Sequence, residues 1–494
     1  MIKYFKVSIK NFGGKMSLNI TKNSKKKYDK IIVLLEEGKI KNQNILSKDN
    51  KLLFDALAKE KKFTGKKGET LEFSSFDNKI LSQYLFLGIG KEKELTRETL
   101  KKTLFSAMKS LKGEVLLESA NKNFIDYDLV GELVEHINYS FDKYHTKDKK
   151  EIEKKSLEID IVAEKTVPKV VEGTELGKIT NIVRDLVNEP SNVMTPLVLS
   201  QNAIKLGKEY GFNVKVYDEK EIEKLNMSAF LAVARASANR PKLIIMKYNG
   251  NPRSKKNLVL VGKGLCYDSG GLSIKPTGSM LTMHSDMTGA ATVIGTMCAL
   301  AKMKIKKNVT ALVAACENSI SGDAYKPGDV IPTMSGKTIE ITNTDAEGRV
   351  TLADALTYAV KKEKADEIID VATLTGAIVI ALGENITGAF TNNPDNYSKL
   401  EKAGAKWGEK YWNMPMDEEF KEPIKSHIAD LKNSAGRGGS SITAAKFLEE
   451  FVEDTPWIHL DIAGTSFCEG SNKYYKKGAT GISMKTLYEY IKNN

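Results

Sequence analysis

"KNLVLVGKGLCYDSGG", residues 256–271, runs from a short apolar stretch into glycines, a lysine and an aspartate. An apolar run of this length, closed by small and polar residues, reads as a strand buried on both faces. Four more runs share the pattern: "PKLIIMKYNG" (241–250), "NVTALVAAC" (308–316), "DEIIDVATLTG" (366–376) and "WIHLDIAG" (457–464). Helical patterns lie between several of them, in "SDMTGAATVIGTMCALAKM" (285–303), "VTLADALTYAVKKE" (350–363) and "SSITAAKFLEEFVE" (440–453). Buried strands alternating with helices predict an α/β fold with a mainly parallel central sheet covered on both faces. Sites on such sheets form beyond the carboxyl ends of the strands. The chemically loaded residues fall there: "GKGLCYDSGG" follows one strand, "NTDAEGR" (343–349) precedes a helix, and "TLTG" (373–376) follows another strand.

The chain has 494 residues, enough for two domains with sizeable cores. We expect an N-terminal α/β domain over residues 1–165 and a larger C-terminal domain over 172–494. The first mixes strand-like "KIIVLLEEG", "SQYLFLGIG" and "GEVLLES" with helix-like "SKDNKLLFDALAKE", "TRETLKKTLFSAMKSL" and "YDLVGELVEHINYSF". Its end is marked by "KDKKEIEKK", a last strand "LEIDIVA" and "EKTVPKVVEG", and the helix "TELGKITNIVRDLVNE" leads onward. Hydrophobic residues make up 41% and charged residues 28%, as in ordinary globular proteins. No apolar run is long enough to span a bilayer, so no membrane partner is expected. The opening "MIKYFKVSIKNFGGKMSLNI" alternates like a strand and lacks the features of a signal peptide, which predicts a cytoplasmic protein. The four cysteines are scattered without a CxxC and read as small buried residues.

The net charge of +12 sits largely in lysine-rich loops and reads as solvated surface, with polyanion affinity as the sharper alternative. More telling is one local concentration of charge. Lys263 and Asp268 come from what reads as a glycine-rich turn; Lys275 follows, and Asp286 stands at a helix start. With Asp345 and Glu347 this makes four carboxylates and two lysines on loops that could converge. Four acids in a partly dry pocket cannot all stay ionised without compensation, which one or two divalent cations would supply. Oxygen donors without histidine suit magnesium or manganese, and zinc and cobalt also accept carboxylates.

Each piece also has a bland reading. Asp286 could be an N-cap, the glycines of "DSGG" a tight turn, Lys275 a solvated loop lysine, and Arg349 half of a surface ion pair. Asp354 is left as structural. No HExxH, GxSxG, GxxxxGK[ST] or convincing dinucleotide fingerprint occurs among these residues. His284 reads as structural or supporting, His459 as a strand residue, and "SAGRGGSS" (434–441) as a loop capping the next helix.

"VGKGLCYDSGGLSIKP" joined to "NTDAEGR" resembles the leucyl, or cytosol, aminopeptidases, a family of two-metal exopeptidases. The heptad is that family's signature, and "LVNEPSNVMTP", "IDVATLTGA", "GGSSITAAKFL" and "HLDIAGT" extend the resemblance over nearly all of the second domain. The resemblance implies that Lys263, Asp268, Asp286, Asp345 and Glu347 bind metal, with Asp268 and Glu347 bridging both ions. Asp345 would complete one site, and Lys263 with Asp286 the other. Lys275 and Arg349 would be the catalytic pair, Lys275 facing the carbonyl oxygen and Arg349 anchoring a bicarbonate that accepts a proton. Lys263 would have to be neutral to donate a lone pair. The backbone near Leu374 would help bind the anion and substrate, and Met283, Thr373, Gly376 and Ala463 would line the pocket for the N-terminal side chain. Ser466 stands where some members place a methionine, which leaves the preference for leucine open.

By the same resemblance the chain would be a homohexamer holding two divalent ions per subunit, Mn2+ or Zn2+ with Mg2+ or Co2+ as alternatives. Its substrates would be short peptides, cysteinylglycine-type dipeptides included. Two rivals stand beside this expectation. A two-metal phosphoesterase could use similar carboxylates without needing a neutral lysine. A nucleic-acid-binding role is suggested by the +12 charge and, through the resemblance, by DNA binding among some members of that family.

Overall fold

The computed structural model describes residues 18–21, 27–41, 46–77, 80–119, 125–146, 156–162, 167–470 and 474–494. Most of the opening strand-like stretch and all of "KDKKEIEKK" lie outside these residues. The chain forms two compact units, residues 1–181 and 182–494, and the division falls inside the helix Val167–Asn188. That helix begins within "EKTVPKVVEG", a stretch expected to mark the end of the first domain. Pro168 is tolerated there because a first-turn residue needs no intrahelical donor.

In the first unit, β1 (Leu18–Thr21), β2 (Lys30–Leu35), β3 (Thr70–Asp77), β4 (Ile80–Gly88), β5 (Gly113–Ser119) and β6 (Leu157–Val162) form a six-stranded sheet. The order is β1-β6-β5-β2-β4-β3, with every pairing parallel except the β3–β4 hairpin. The helix Lys48–Glu60 buries Phe54 against Phe86 of β4, ring centroids 4.6 Å apart. Ser47 caps that helix by accepting from Asn50 N.

The second unit adds β7 (Asn213–Tyr217), β8 (Lys242–Asn249), β9 (Leu258–Asp268), β10 (Asn308–Asn318), β11 (Val330–Pro332), β12 (Thr338–Glu340) and β13 (Glu367–Ala372). After them come β14 (Thr387–Thr391), β15 (Tyr411–Asn413), β16 (Leu431–Lys432) and β17 (Trp457–Asp461). Eight of these make the main sheet, in the order β15-β14-β17-β13-β9-β10-β8-β7. Its centre, β17-β13-β9-β10, is parallel, and antiparallel partners flank it on both sides. A smaller sheet joins β11, β12 and β16. Two helices show how deep the core is: every residue from Thr288 to Ala301 is buried, and so is every residue from Glu347 to Ala359.

The strand β9 corrects one expectation. Lys263 and Asp268 lie within the strand itself, which runs on through Gly262 and Gly264, and the turn starts only at Ser269. A Cβ on Gly262 would meet Gly289 O at 2.6 Å, and one on Gly289 would meet Val371 O at 2.0 Å. These glycines therefore let the helix Thr288–Lys302 press its backbone onto β9 and β13. Only Gly270 (φ +85) and Gly271 (φ +65) carry the left-handed backbone of a real turn.

Candidate active site

The parallel centre of the sheet sends the loops after β9, β10 and β13 to the same edge, and the charged residues meet there. β9 presents Lys263 and, at its last position, Asp268, both buried. The turn that follows brings round Lys275. Ser273 and Thr344 lock this loop to the "NTDAEGR" loop, Ser273 N donating to Thr344 Oγ1 at 2.8 Å and Thr344 N to Ser273 Oγ at 3.1 Å. Asp345 lies in that second loop, and Glu347 is the first residue of the helix Glu347–Lys361.

Asp286 is not an N-cap. It ends the short 3-10 turn Met283–Ser285 and lies before Met287, which occupies the cap position of the helix Thr288–Lys302. Its carboxylate turns inward, accepting Lys263 Nζ at 2.9 Å and the Thr373 hydroxyl at 2.7 Å on Oδ1. Lys263 Nζ also stands 3.0 Å from Glu347 Oε1 and donates to the Thr373 carbonyl at 2.9 Å. Lys275 Nζ lies 2.8 Å from Asp268 Oδ2 and 2.5 Å from Asp345 Oδ1. The expected four carboxylates and two lysines thus form one cluster.

Asp268, Asp286 and Glu347 each offer an oxygen within 4.8 Å of the others. Asp286 Oδ2 and Glu347 Oε2 are buried with no hydrogen-bond partner among the described residues. Burial pushes the Asp268, Asp286 and Asp345 carboxyls above their usual range. Burial pushes Glu347 the same way, but the two lysines outweigh it and hold that carboxyl low. Burial would lower Lys263 and Lys275, yet the surrounding carboxylates win and raise both. The ammonium groups therefore act as counter-ions, and buried acid oxygens still lack partners. Hard divalent cations fit this donor set.

Arg349 is 7% exposed, far from a surface bridge. Its Nη1 donates to the Asn433 carbonyl at 2.8 Å, and burial brings its guanidinium down to about 10 against the pull of Glu347, Asp461 and Asp345. Of the expected pocket residues, Thr373 sits inside the cluster. Leu374 N and Ala463 N both donate to Asp461 Oδ1, at 3.1 and 3.2 Å. Met283 is half-buried three positions before Asp286, and Gly376 is exposed at the start of the helix Gly376–Leu382. Ser466 is buried, its hydroxyl turned to the Ala463 carbonyl at 3.4 Å. His284 packs edge-on against Phe467, centroids 5.5 Å apart, and His459 is fully buried 2.6 Å from Asp370. All four cysteines are free and buried.

Three polar residues here escaped sequence reasoning. Asn318, the last residue of β10, donates to Asp268 Oδ1 at 2.8 Å and to the Thr344 carbonyl at 3.0 Å. Asn433 ties the "NTDAEGR" loop to the following segment through Thr342 and Asn343. Asp461 clamps the turn after β13. The available signal was position alone: Asn318 and Asp461 end central strands, where sites form.

The description "Cytosol aminopeptidase family, catalytic domain" matches residues 181–488, and "Cytosol aminopeptidase family, N-terminal domain" matches residues 31–148. The chain belongs to the cytosol aminopeptidase family. A probable cytosol aminopeptidase of Fusobacterium nucleatum is 51% identical over 480 residues, 97% of this chain and 100% of that one. The Clostridium tetani counterpart is 49% identical over 451 residues, 89% of this chain and 93% of its own. Among solved structures, a tomato leucine aminopeptidase variant matches with a TM-score of 0.83 and 30% identity, over 99% of this chain and 100% of that one. The bottromycin maturation enzyme BotP in complex with Mn matches with a TM-score of 0.82 and 28% identity, over 94% of this chain and 99% of that one. The chain is therefore a metallo-aminopeptidase, and the aminopeptidase expectation supersedes the phosphoesterase rival. Among the described residues of this cytosol aminopeptidase, no helix is long and apolar enough to cross a membrane.

Proposed function

We propose that this aminopeptidase releases N-terminal residues from short peptides in the cytoplasm with two divalent cations held by Lys263, Asp268, Asp286, Asp345 and Glu347. The observation that carries the reading is the buried trio Asp268, Asp286 and Glu347, with Asp286 Oδ2 and Glu347 Oε2 unpartnered beside two lysines. Bound there, the cations supply Lewis-acid polarisation of the scissile carbonyl, a water acidic enough to attack near pH 7, and an anchor for the substrate's free amine. That anchor accounts for attack at the first peptide bond only.

The chain's own groups do the rest. Lys263 gives up its proton to become a ligand; an arginine in its place could not. Lys275, only part-buried at the rim of the cluster, keeps its proton and donates to the carbonyl oxygen as negative charge develops there. Arg349 is not a base, because its guanidinium keeps its proton; it would hold a bicarbonate, which would supply the proton acceptor. Met283, Thr373, Leu374, Gly376 and Ala463 border the space for the N-terminal residue. Manganese is the first cation to test, since BotP is described in complex with Mn, and zinc the second. A homohexamer is part of this reading by family resemblance.

The test is release of p-nitroaniline from leucine-p-nitroanilide by chelator-treated protein, before and after manganese or zinc is added. Restored activity in the wild type and silence in Asp345→Ala support the proposal. A folded, metal-loaded wild type that cleaves neither this substrate nor a dipeptide panel overturns it.

A further inference from the structure

Asp461 closes β17 at 1% exposure, and the reaction as proposed gives it no part. Its carboxylate is engaged by the turn after β13. Oδ1 accepts the N–H groups of Leu374 at 3.1 Å, Thr375 at 3.4 Å and Ala463 at 3.2 Å, and Oδ2 accepts the Thr375 hydroxyl at 2.6 Å. The turn begins at Thr373, whose two polar groups both reach the carboxylate cluster. Its carbonyl accepts Lys263 Nζ at 2.9 Å, and its hydroxyl donates to Asp286 Oδ1 at 2.7 Å.

We propose that Asp461 is a positioning residue for the metal ligands: it fixes the 373–375 turn, and through Thr373 it sets where Lys263 Nζ and Asp286 Oδ1 stand. The inference rests on reading Lys263 and Asp286 as ligands. A buried carboxylate that gathers backbone N–H groups can serve the fold alone, by tying β17 to β13. Here the tied segment leads directly to two of the proposed ligands, Lys263 and Asp286, and groups that orient ligands typically matter about 10–100-fold to metal affinity or activity. Register supports the same path. Asp461 pairs with Ala372 in the sheet, so its carboxylate starts from a backbone already registered one residue before Thr373.

The charge of Asp461 also bears on Arg349, so two variants separate charge from clamp. Asp461→Asn removes both the charge and an acceptor. Thr375→Val breaks the Oδ2 contact and leaves the charge, while Thr375→Ser keeps the contact. Manganese alone is titrated into each metal-free, folded protein by calorimetry. The wild type and Thr375→Ser should take two ions with matching affinities. Thr375→Val should weaken one of the two ions about tenfold and Asp461→Asn should weaken it by up to about 100-fold. A wild type that does not bind two ions overturns the two-metal reading, and this inference with it. A wild type that binds two ions, with Thr375→Val within about twofold of it, overturns this inference alone. Should Asp461→Asn fail to fold, Thr375→Val decides.

Discussion

A Cβ on Gly348 would lie 2.4 Å from Cε of Lys263. The glycine of "NTDAEGR" therefore leaves room for a lysine that arrives from another strand. Lys263 cannot swing away freely, because Asp286, Glu347 and the Thr373 carbonyl hold its amine. Gly348→Ala should leave the fold intact, since the helix Glu347–Lys361 gains a better helix former. Turnover should fall by at least about tenfold together with metal affinity. Circular dichroism with a manganese titration checks it, and a variant with wild-type affinity contradicts the steric account.

Lys275 should act on the transition state. Lys275→Met keeps much of the side-chain volume and loses the donor, so kcat should drop about 10²–10³-fold. Substrate binding should change far less. Steady-state kinetics on a metal-loaded variant gives both, and an unchanged kcat rules out the assigned role.

Metal binding should release protons. The Lys263 amine and the Asp286 carboxyl both hold their protons above the usual range: burial raises Asp286, and the carboxylates overcome burial to raise Lys263. Ligands must be deprotonated to bind, so affinity should rise with pH. Calorimetry in two buffers of different ionisation enthalpy measures the protons released; identical heats in both would refute this.

His459 should leave a mark on stability. Burial pulls its pKa down, but the charge and hydrogen bond of Asp370 outweigh that and raise it above 6.5. The folded state then binds the proton more tightly than the unfolded chain. The stabilisation is fully present below 6.5 and is lost as pH rises through the folded value. The Tm advantage of wild type over His459→Gln should therefore shrink as pH rises from 6.5. An advantage that grows over that range would reverse the assignment.

The sheet was legible because its central strands are buried on both faces and so read as unbroken apolar runs. The cluster was legible because charged residues on loops after such strands have few structural uses. Lys263 was misplaced for a physical reason: glycines mark turns in sequence, and Gly262 and Gly264 serve the close approach of neighbouring backbone and side chains. Asp286 carried the sequence signature of a cap, and only its inward contacts reveal otherwise. Asn318 and Asp461 left no periodic signal, since a lone polar residue does not disclose which distant backbone it will bond. The roles of Lys275 and Arg349 came from family resemblance; geometry adds their burial and partners.

As proposed, these side chains hold a pair of cations. Crystals of the protein grown with manganese, measured at wavelengths on both sides of the manganese edge, test it most directly. Two anomalous peaks about 3.5–4 Å apart are expected, enclosed by Lys263, Asp268, Asp286, Asp345 and Glu347. A single peak, or peaks away from these residues, in an active crystal form would contradict it.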